Sequence, residues 1–495
     1  MRASALSLLV LSSLLALSGC LLGPNYQRPV VDTPPSFRFA ESDAKDLVNT
    51  AWWEQFQDPG LNALIATALA DNLDVKTAAA RVEQFRGQFV TTRSQLFPQV
   101  AAGIDAQRQR VPLGTTELPP GVGSVFNQYQ ATLSASWEID FFGKLRRQTE
   151  AARANLLASE EGRRATILTL VSSVASSYVN LLSLDRQLDI AKSTVASRGA
   201  SVSVFQLRFT GGEVSQMELA QSQSEYQASL ASIPQIELQI AQQEDALSIL
   251  LGHNPEVIVR DRELDDLALP AVPAGLPSEL LERRPDLRQA EQDLVAANAL
   301  IGAARALYFP SISLTGLFGT ASGQFSSLFT GPARVWSYAG AVTLPIFTAG
   351  SIGGQVKQAE AQQQQALFQY QKAIQVAFQE VADALVSLQK TREQLVVQGN
   401  QVDALRTYAR LARLRFEGGY TSYIEVLDAE RSLFNAQLSY AQTQGTVFTS
   451  TVSLYKAMGG GWVTDAERMT STTYDGTTAM ANPPAAASQT GGAAP

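Results

Sequence analysis

The chain has little of the material from which most catalytic and metal sites are built. Its 495 residues include one His and one Cys, too few for a disulfide framework and nearly too few for a histidine-based catalytic pair or a zinc site. Charged residues make up 17% of the chain, where a soluble domain carries roughly 25%. A net charge of −8 leaves no basic footprint for nucleic acid. We therefore expect no catalytic residues, no cofactor, no metal and no nucleic-acid partner.

Long apolar runs are also missing. After the first 20 residues no uninterrupted stretch of 18 apolar residues occurs, which argues against a membrane-spanning helix. The N-terminus offers another route to a membrane, because Arg2 is followed by an apolar stretch (5–17) and by Leu17-Ser18-Gly19-Cys20. This order resembles a bacterial lipoprotein signal, which is cut before Cys20 and leaves that cysteine lipidated. Since Leu21 rather than Asp follows, we expect retention at the outer membrane.

The sequence repeats itself. Leu207–Gly212 (LRFTGG) returns 207 residues later as Leu414–Gly419 (LRFEGG). Phe97-Pro98 returns as Phe309-Pro310 with an offset of 212. The same two offsets relate further pairs, which are Gly143 and Gly350, Gly252 and Gly459, and Asp74 and Asp286. The chain is therefore an internal duplication, with a difference of five residues between Pro98 and Gly143.

Each copy predicts the same order of elements. A helix rich in Ala and Gln (Leu61–Leu96 in the first copy) stops before Pro98, since proline disfavours a helical residue before it. A hairpin of alternating apolar and small polar residues follows. The next segments, 146–209 and 351–416, contain no proline and predict very long helices. Paired glycines then turn the chain into a return helix, which is 213–251 in the first copy.

The hairpin strands are about ten residues long, the length of a transmembrane β-strand. Four strands do not close a barrel, and an open sheet edge does not lie in lipid. If the hairpins enter a membrane, several chains must therefore pool them. The alternative is a pair of amphipathic hairpins packed on a soluble core.

Four motifs identify the family that the chain resembles, which is the TolC-like outer-membrane factors of tripartite efflux pumps, in their lipoprotein branch. The motifs are Gly23–Pro29 (GPNYQRP), Trp52–Pro59 (WWEQFQDP), Gly275–Asp286 (GLPSELLERRPD) and Leu454–Trp462 (LYKAMGGGW). The resemblance covers nearly the whole chain and rests on the four together.

The resemblance implies an α+β fold in a homotrimeric tunnel. Each chain would give four strands to an outer-membrane β-barrel that a long periplasmic α-helical barrel continues. The implied segments are a signal peptide (1–19), a lipidated equatorial segment (20–60), repeat 1 (61–252, hairpin 98–142), an equatorial linker (253–285), repeat 2 (286–459, hairpin 310–349) and an equatorial C-terminal segment with a disordered tail (460–495).

The implied function is that of a passive outer-membrane exit duct for drugs or other small toxic compounds. The implied partners are a periplasmic adaptor (membrane fusion protein), an inner-membrane pump of the proton-driven type, and outer-membrane lipid around the barrel and at Cys20. No phosphate-binding Gly/Lys motif occurs, so the energy would come from the pump. Scattered methionines and a single His and Cys disfavour heavy metals as cargo. A protein-secretion tunnel and a structural periplasmic coiled-coil lipoprotein are the alternatives.

The resemblance also implies a gate and a docking tip. Ile424 and Asp428 are four residues apart and share one helix face, where they would form stacked rings that narrow the closed tunnel. The alternative is that Asp428 is an ordinary solvated carboxylate. The adaptor would contact the two helix tips, at Leu207, Arg208, Phe209, Gly211 and Gly212 and at Leu414, Arg415, Phe416, Gly418 and Gly419. Their arginines could instead complement helix C-termini, and Arg410, Arg413 and Arg431 are candidates to brace the closed state.

Overall fold

The computed structural model describes residues 21–39, 51–110, 112, 124–272, 277–459 and 462–470. The predicted signal peptide, Cys20 and the C-terminal tail lie outside these residues. The described chain forms two compact units. Unit 1 draws on 1–38, 80–165 and 275–382, and unit 2 draws on 39–79, 166–274 and 383–495.

Nine α-helices occur in the described ranges, and they follow the duplication. They are α1 (Pro59–Asp71), α2 (Leu73–Ser94), α3 (Lys144–Thr210), α4 (Gln216–Leu251), α5 (Pro277–Arg283), α6 (Pro285–Ala306), α7 (Ser351–Glu417), α8 (Tyr423–Ala457) and α9 (Val463–Arg468). Helices α2 and α6 are 22 residues each, and α3 and α7 are 67 residues each. Their bounds keep the offsets of 212 and 207, which confirms the predicted long helices and the repeat.

The four strands form one antiparallel sheet in the order β1 (Gln99–Arg110), β2 (Val125–Ile139), β3 (Ser311–Ser322) and β4 (Arg334–Thr343). Gln99 pairs with Ser136 in the first hairpin, and Ser311 pairs with Thr343 in the second. The first members of these pairs differ by 212 and the second by 207. The five-residue difference therefore lies in the connection between the hairpin strands, and β2–β3 pairing joins the two repeats.

The sheet leaves large apolar side chains uncovered. Ile104 on β1 and Tyr338 on β4 are each 81% exposed, and Trp336 is stacked beside Tyr338 at 5.8 Å between ring centroids. Among the described residues, the outer edges of β1 and β4 have no ladder partner, so their backbone groups are open to pairing with a further strand. Such a sheet is suited to pairing its outer strands with those of further chains and to covering its apolar side chains with lipid.

Helix Leu61–Leu96 was predicted as one element, and this prediction is wrong because the chain breaks at Asn72. The Asn72 side-chain oxygen accepts hydrogen bonds from the backbone N–H groups of Asp74 and Val75, at 2.8 and 3.0 Å. Its amide donates to the carbonyl of Leu250 at 2.9 Å. Asn72 therefore caps the N-terminus of α2 and links it to the end of α4. The contact with α4 cannot be predicted from the residues next to Asn72.

The aromatic motif Trp52–Pro59 forms the core of unit 2. Trp52 is fully buried and stacks on Tyr455 at 5.3 Å. The buried Asp58 carboxylate accepts from the N–H groups of Gly60 and Leu61, and from the Tyr178 hydroxyl at 2.9 Å. Two of the family-like motifs, at opposite ends of the chain, thus meet in one cluster.

Helix α3 supplies much of the same core. Within the described part of the chain it is the one helix that is long and apolar enough to cross a membrane, by length and composition alone. Because 67% of that apolar window is buried inside the protein, the window serves as core. The sequence shows no uninterrupted apolar run in this helix, because serines and threonines such as Ser172 and Ser173 lie between its apolar residues.

The N-terminal strap, residues 21–29, packs in unit 1. Arg147 on α3 is 1% exposed and donates to the carbonyls of Leu22 and Gly23 and to the side chain of Asn25. Asn298 on α6 donates to the carbonyl of Pro24 at 3.0 Å. Further along, Tyr26 and Arg28 both donate to the carboxylate of Glu291. Residues 254–272 and 462–470 lie in unit 2, so the predicted equatorial residues are divided between the units.

We predict that Asn72→Ala lowers the stability of the protein by about 1–2 kcal/mol, since it removes an N-cap. The measurement is thermal unfolding in detergent at one fixed scan rate, with Asn400→Ala, an exposed site on α7, as the matched control. Equal melting temperatures for the two variants would contradict the capping role.

We predict that Gly212→Ala costs about 1 kcal/mol, whereas Gly211→Ala has no measurable effect. Gly212 has φ +76° with no atom within 4 Å of an added Cβ, so its cost is the left-handed backbone alone. Hydrogen exchange at residues 205–215 reports the difference as faster exchange in Gly212→Ala only. Equal exchange in both variants would show that the left-handed turn is not a constraint.

Candidate functional site

The two predicted tips are the turns that connect α3 to α4 and α7 to α8, and they share one backbone geometry. The N–H of Glu213 donates to the carbonyl of Arg208, and the N–H of Tyr420 donates to that of Arg415, both at 2.9 Å. Gly212 and Gly419 both have φ +76°. Each long helix therefore ends in a left-handed glycine closure, as the paired glycines predict.

The return helices begin differently. Ser215 and Glu218 form a capping box at the start of α4. The equivalent Glu425 on α8 instead accepts from Thr421 and pairs with Arg415 at 3.3 Å. The Ser-x-x-Glu pattern occurs in both copies and is a signal that the sequence analysis did not use. The pattern does not reveal that the glutamate of the second copy pairs with Arg415 instead of capping the helix.

An aromatic cluster joins the two turns within unit 2. The ring of Phe205 lies 4.0 Å from that of Tyr423 and 5.8 Å from that of Phe416, centroid to centroid. The Arg208 guanidinium lies 5.8 Å from the Phe416 centroid, a cation–π arrangement. Burial raises the pKa of Tyr423, so its hydroxyl stays neutral. The cluster holds the second turn against the first.

The predicted tip residues therefore divide into two groups. Phe416 and Arg208 make contacts within the chain, and Arg415 is paired with Glu425. Leu207 and Leu414 are 75% and 54% exposed, and Phe209 is 38% exposed. The tips thus present exposed leucines beside the Arg415 side chain, which is 58% exposed although it is paired.

The predicted gate residues lie on the first turns of α8 and face the same way. Ile424 is 59% exposed and the Asp428 side chain is 57% exposed, while Val426 and Leu427 on the opposite face are buried. Asp428 accepts from Arg431 at 3.3 Å. The structure thus places Ile424 and Asp428 on one exposed face of α8. A ring of these residues forms only when the same face of other copies surrounds one axis.

The predicted bracing arginines connect helices of unit 2. Arg413 on α7 pairs with Glu430 on α8 and donates to Ser201 on α3. Arg431 lies 3.7 Å from Glu225 on α4 as well as close to Asp428. Arg410 is exposed on α7. The acidic partners were not found from the sequence, because each lies on another helix than its arginine, Glu430 across the α7–α8 turn and Glu225 in the other repeat.

No group of three or more His, Cys, Asp or Glu side chains that could hold a metal ion occurs among the described residues.

Comparison with known proteins places these elements in a family. The family model described as outer membrane efflux protein matches residues 64–253 and 276–460, one match to each repeat. The toluene efflux pump outer membrane protein TtgF of Pseudomonas putida is 38% identical over 458 residues, which cover 90% of this chain and 95% of TtgF. The cation efflux system protein CusC of Escherichia coli O157:H7 is 36% identical, over 90% of this chain and 97% of CusC.

A solved structure agrees with the sequence relatives. The open state of the MtrE outer membrane channel of Neisseria gonorrhoeae superposes with a TM-score of 0.81 at 32% identity, over 90% of this chain and 99% of MtrE. The duplication, the four-stranded sheet, the paired long helices and these relatives lead to one conclusion. The chain belongs to the outer membrane efflux protein family and is the outer-membrane channel component of an efflux system, with the fold of a trimeric channel that extends into the periplasm.

Proposed function

We propose that this chain is the passive exit duct of a tripartite pump, fed by a periplasmic adaptor and an inner-membrane pump of the proton-driven type. The observation that carries the proposal is coverage, since the chain spans 95% of an efflux pump outer membrane protein at 38% identity and 99% of a solved outer membrane channel at 32% identity. It has no phosphate-binding motif to use nucleotide energy, so transport energy comes from the pump and the chain performs no catalysis. The efflux names of its relatives favour this duct over a secretion tunnel or a structural lipoprotein.

The proposal includes a covalent lipid on Cys20. The signal pattern before Cys20 supports it, and a lipid adds membrane affinity to that of the barrel. The domain division given above, from signal peptide to C-terminal tail, belongs to the same proposal.

The gate in this proposal is the ring formed by Ile424 and Asp428 of three copies. Three like charges around a narrow pore repel one another, and the Arg431 side chain beside each carboxylate offsets that repulsion. The ion pairs of Arg413 and Arg431 connect α8 to its neighbours and hold the closed arrangement.

The adaptor in this proposal docks on the two tips. Leu207 and Leu414 provide exposed apolar contact, and the glycine turns leave the backbone accessible beside them. Arg208 acts through Phe416, which it covers, and so shapes the tip rather than reaching outward.

Organic compounds are the proposed cargo. TtgF is named for toluene and CusC for cations, and their identities to this chain are too close to decide between the two. The methionines favour the organic class. Of the three that the structure describes, Met458 is 3% exposed, Met469 lies just after α9, and Met217 lies in the first turn of α4. Thioethers so placed do not form a soft-metal relay.

We predict that the Ile424→Ala/Asp428→Ala variant conducts clearly more than the wild-type trimer in planar bilayers, because it removes the proposed constriction. The control is Asn435→Ala/Ser439→Ala, which changes the same exposed face of α8 further from the turn and should conduct like wild type. Equal conductance in all three proteins would move the gate elsewhere, and no conductance from well-folded wild-type protein would contradict the duct.

We predict that Leu207→Asp/Leu414→Asp causes a severalfold loss of resistance in a complemented deletion strain while its bilayer conductance stays at the wild-type level. Charged side chains at the tips would oppose adaptor docking without closing the duct. Leu238→Asp, on an exposed site of α4, is the matched control.

The susceptibility panel in that experiment contains aromatic solvents, antibiotics and transition-metal salts. Loss of resistance confined to metal salts would contradict the proposed cargo, and unchanged resistance in the tip variant would contradict the docking site.

A further inference from the structure

An apolar cavity lies at the base of the sheet in unit 1, beside the point where the described chain begins. It has a volume of about 240 Å³ and lies between the β2–α3 connection, the α6–β3 connection and the end of β4. Its apolar lining includes Ile139, Phe142, Leu307, Phe309 and Pro345. A cavity of about 150 Å³ accommodates a benzene ring, so this one is large enough for several methylene groups of an extended chain.

The cavity walls are built and its polar rim is satisfied. Phe142 stacks on Phe309 at 4.9 Å between ring centroids, and Phe141 meets Phe142 edge-on at 5.1 Å. On the rim, Asp140 accepts from the backbone N–H groups of Leu145 and Arg146, and Lys144 is paired with Glu138. Apolar surface is therefore what the cavity offers to an occupant.

The strap brings the chain to this cavity. The N–H of Leu22 donates to the carbonyl of Phe142 at 3.4 Å. Leu21 packs on Gly143, and its Cα lies 3.2 Å from the position that a Gly143 Cβ would take. Phe142 and Lys144, on either side of Gly143, both line the cavity. The described chain therefore starts beside the 142–144 segment that lines the cavity.

The strap has little freedom to place its end elsewhere. Gly23 has φ +90°, and a Cβ there would lie 2.4 Å from the Cα of Gly302 on α6. The fully enclosed Arg147 holds the carbonyls on both sides of this contact. Residues 22–25 are thus held by α3 on one side and α6 on the other.

We propose that the cavity is the seat of an acyl chain of the lipid carried by Cys20, and that Arg147 and the Gly23–Gly302 contact aim the lipid at it. The inference rests on the proposed lipidation of Cys20. The lipid would then have two roles. It would anchor the protein in the membrane, and one of its acyl chains would fill the apolar cavity at the base of the sheet.

The test uses the full-length protein in membranes of cells that are fed an alkyne-bearing palmitate. A photoreactive benzoylphenylalanine replaces Phe309, the membranes are irradiated, and the purified protein is digested for mass spectrometry. We expect a cross-link between the peptide that contains position 309 and the N-terminal lipopeptide. The matched control places the same residue at Phe318, which is 62% exposed on β3 and outside the cavity, and it should cross-link to free phospholipid only.

Two further variants separate the possible outcomes. Gly23→Ala should lower the cross-link yield at position 309 severalfold while the mass of the lipopeptide stays the same, because the added methyl group displaces the strap. Cys20→Ala should abolish the cross-link. A wild-type N-terminus without lipid would overturn the proposed lipidation and this inference together. A lipidated protein whose position 309 reacts only with free phospholipid or with a neighbouring chain would overturn this inference and leave the exit duct intact.

Discussion

The fold depends on where the backbone is allowed to adopt a left-handed conformation. Gly143, Gly212 and Gly252 in the first repeat, and their counterparts 207 residues later, all have φ between +61° and +84°. In each copy these three positions mark the entry to the long helix, its turn at the tip and the end of the return helix. Because side chains disfavour this conformation, the glycines fix the length of each long helix. Two helices of 67 residues each are the result.

Much of this architecture could be read from the sequence because its signals are local. Missing prolines predicted the long helices, alternation predicted the strands, and repeated glycine pairs predicted the turns. The break at Asn72 was not predicted: its bonds from Asp74 and Val75 are local, but the contact that ties it to α4 is made with Leu250, 178 positions away. The packing of the strap on α6 was missed for the same reason, because residues such as Asn298 and Glu291 look like ordinary helical residues in the sequence.

The candidate site shows the same limit. Spacing alone placed Ile424 and Asp428 on one face, and the structure agrees. Spacing did not reveal that the two tip arginines have partners within the chain, Glu425 for Arg415 and the Phe416 ring for Arg208. The exposed Leu207 and Leu414 are therefore a surface feature of the tips that the arginines alone did not predict. A ring made by several copies leaves no pair of complementary residues to find in the sequence, because each residue of the ring meets the same residue of a neighbouring copy.

The strap also distinguishes the two repeats from each other. At the offset of 212, Gly302 corresponds to Val90 and Asn298 to Arg86, and at the offset of 207 Arg147 corresponds to Gly354. The equivalent surface, formed by α2 and α7, therefore lacks both the glycine that admits the strap and the arginine that holds its carbonyls. In a threefold assembly of duplicated chains, the helices and strands approach sixfold pseudo-symmetry, and the straps reduce it to three. A partner that contacts only the helix turns therefore finds six similar sites on the trimer. A partner that contacts the strap finds three.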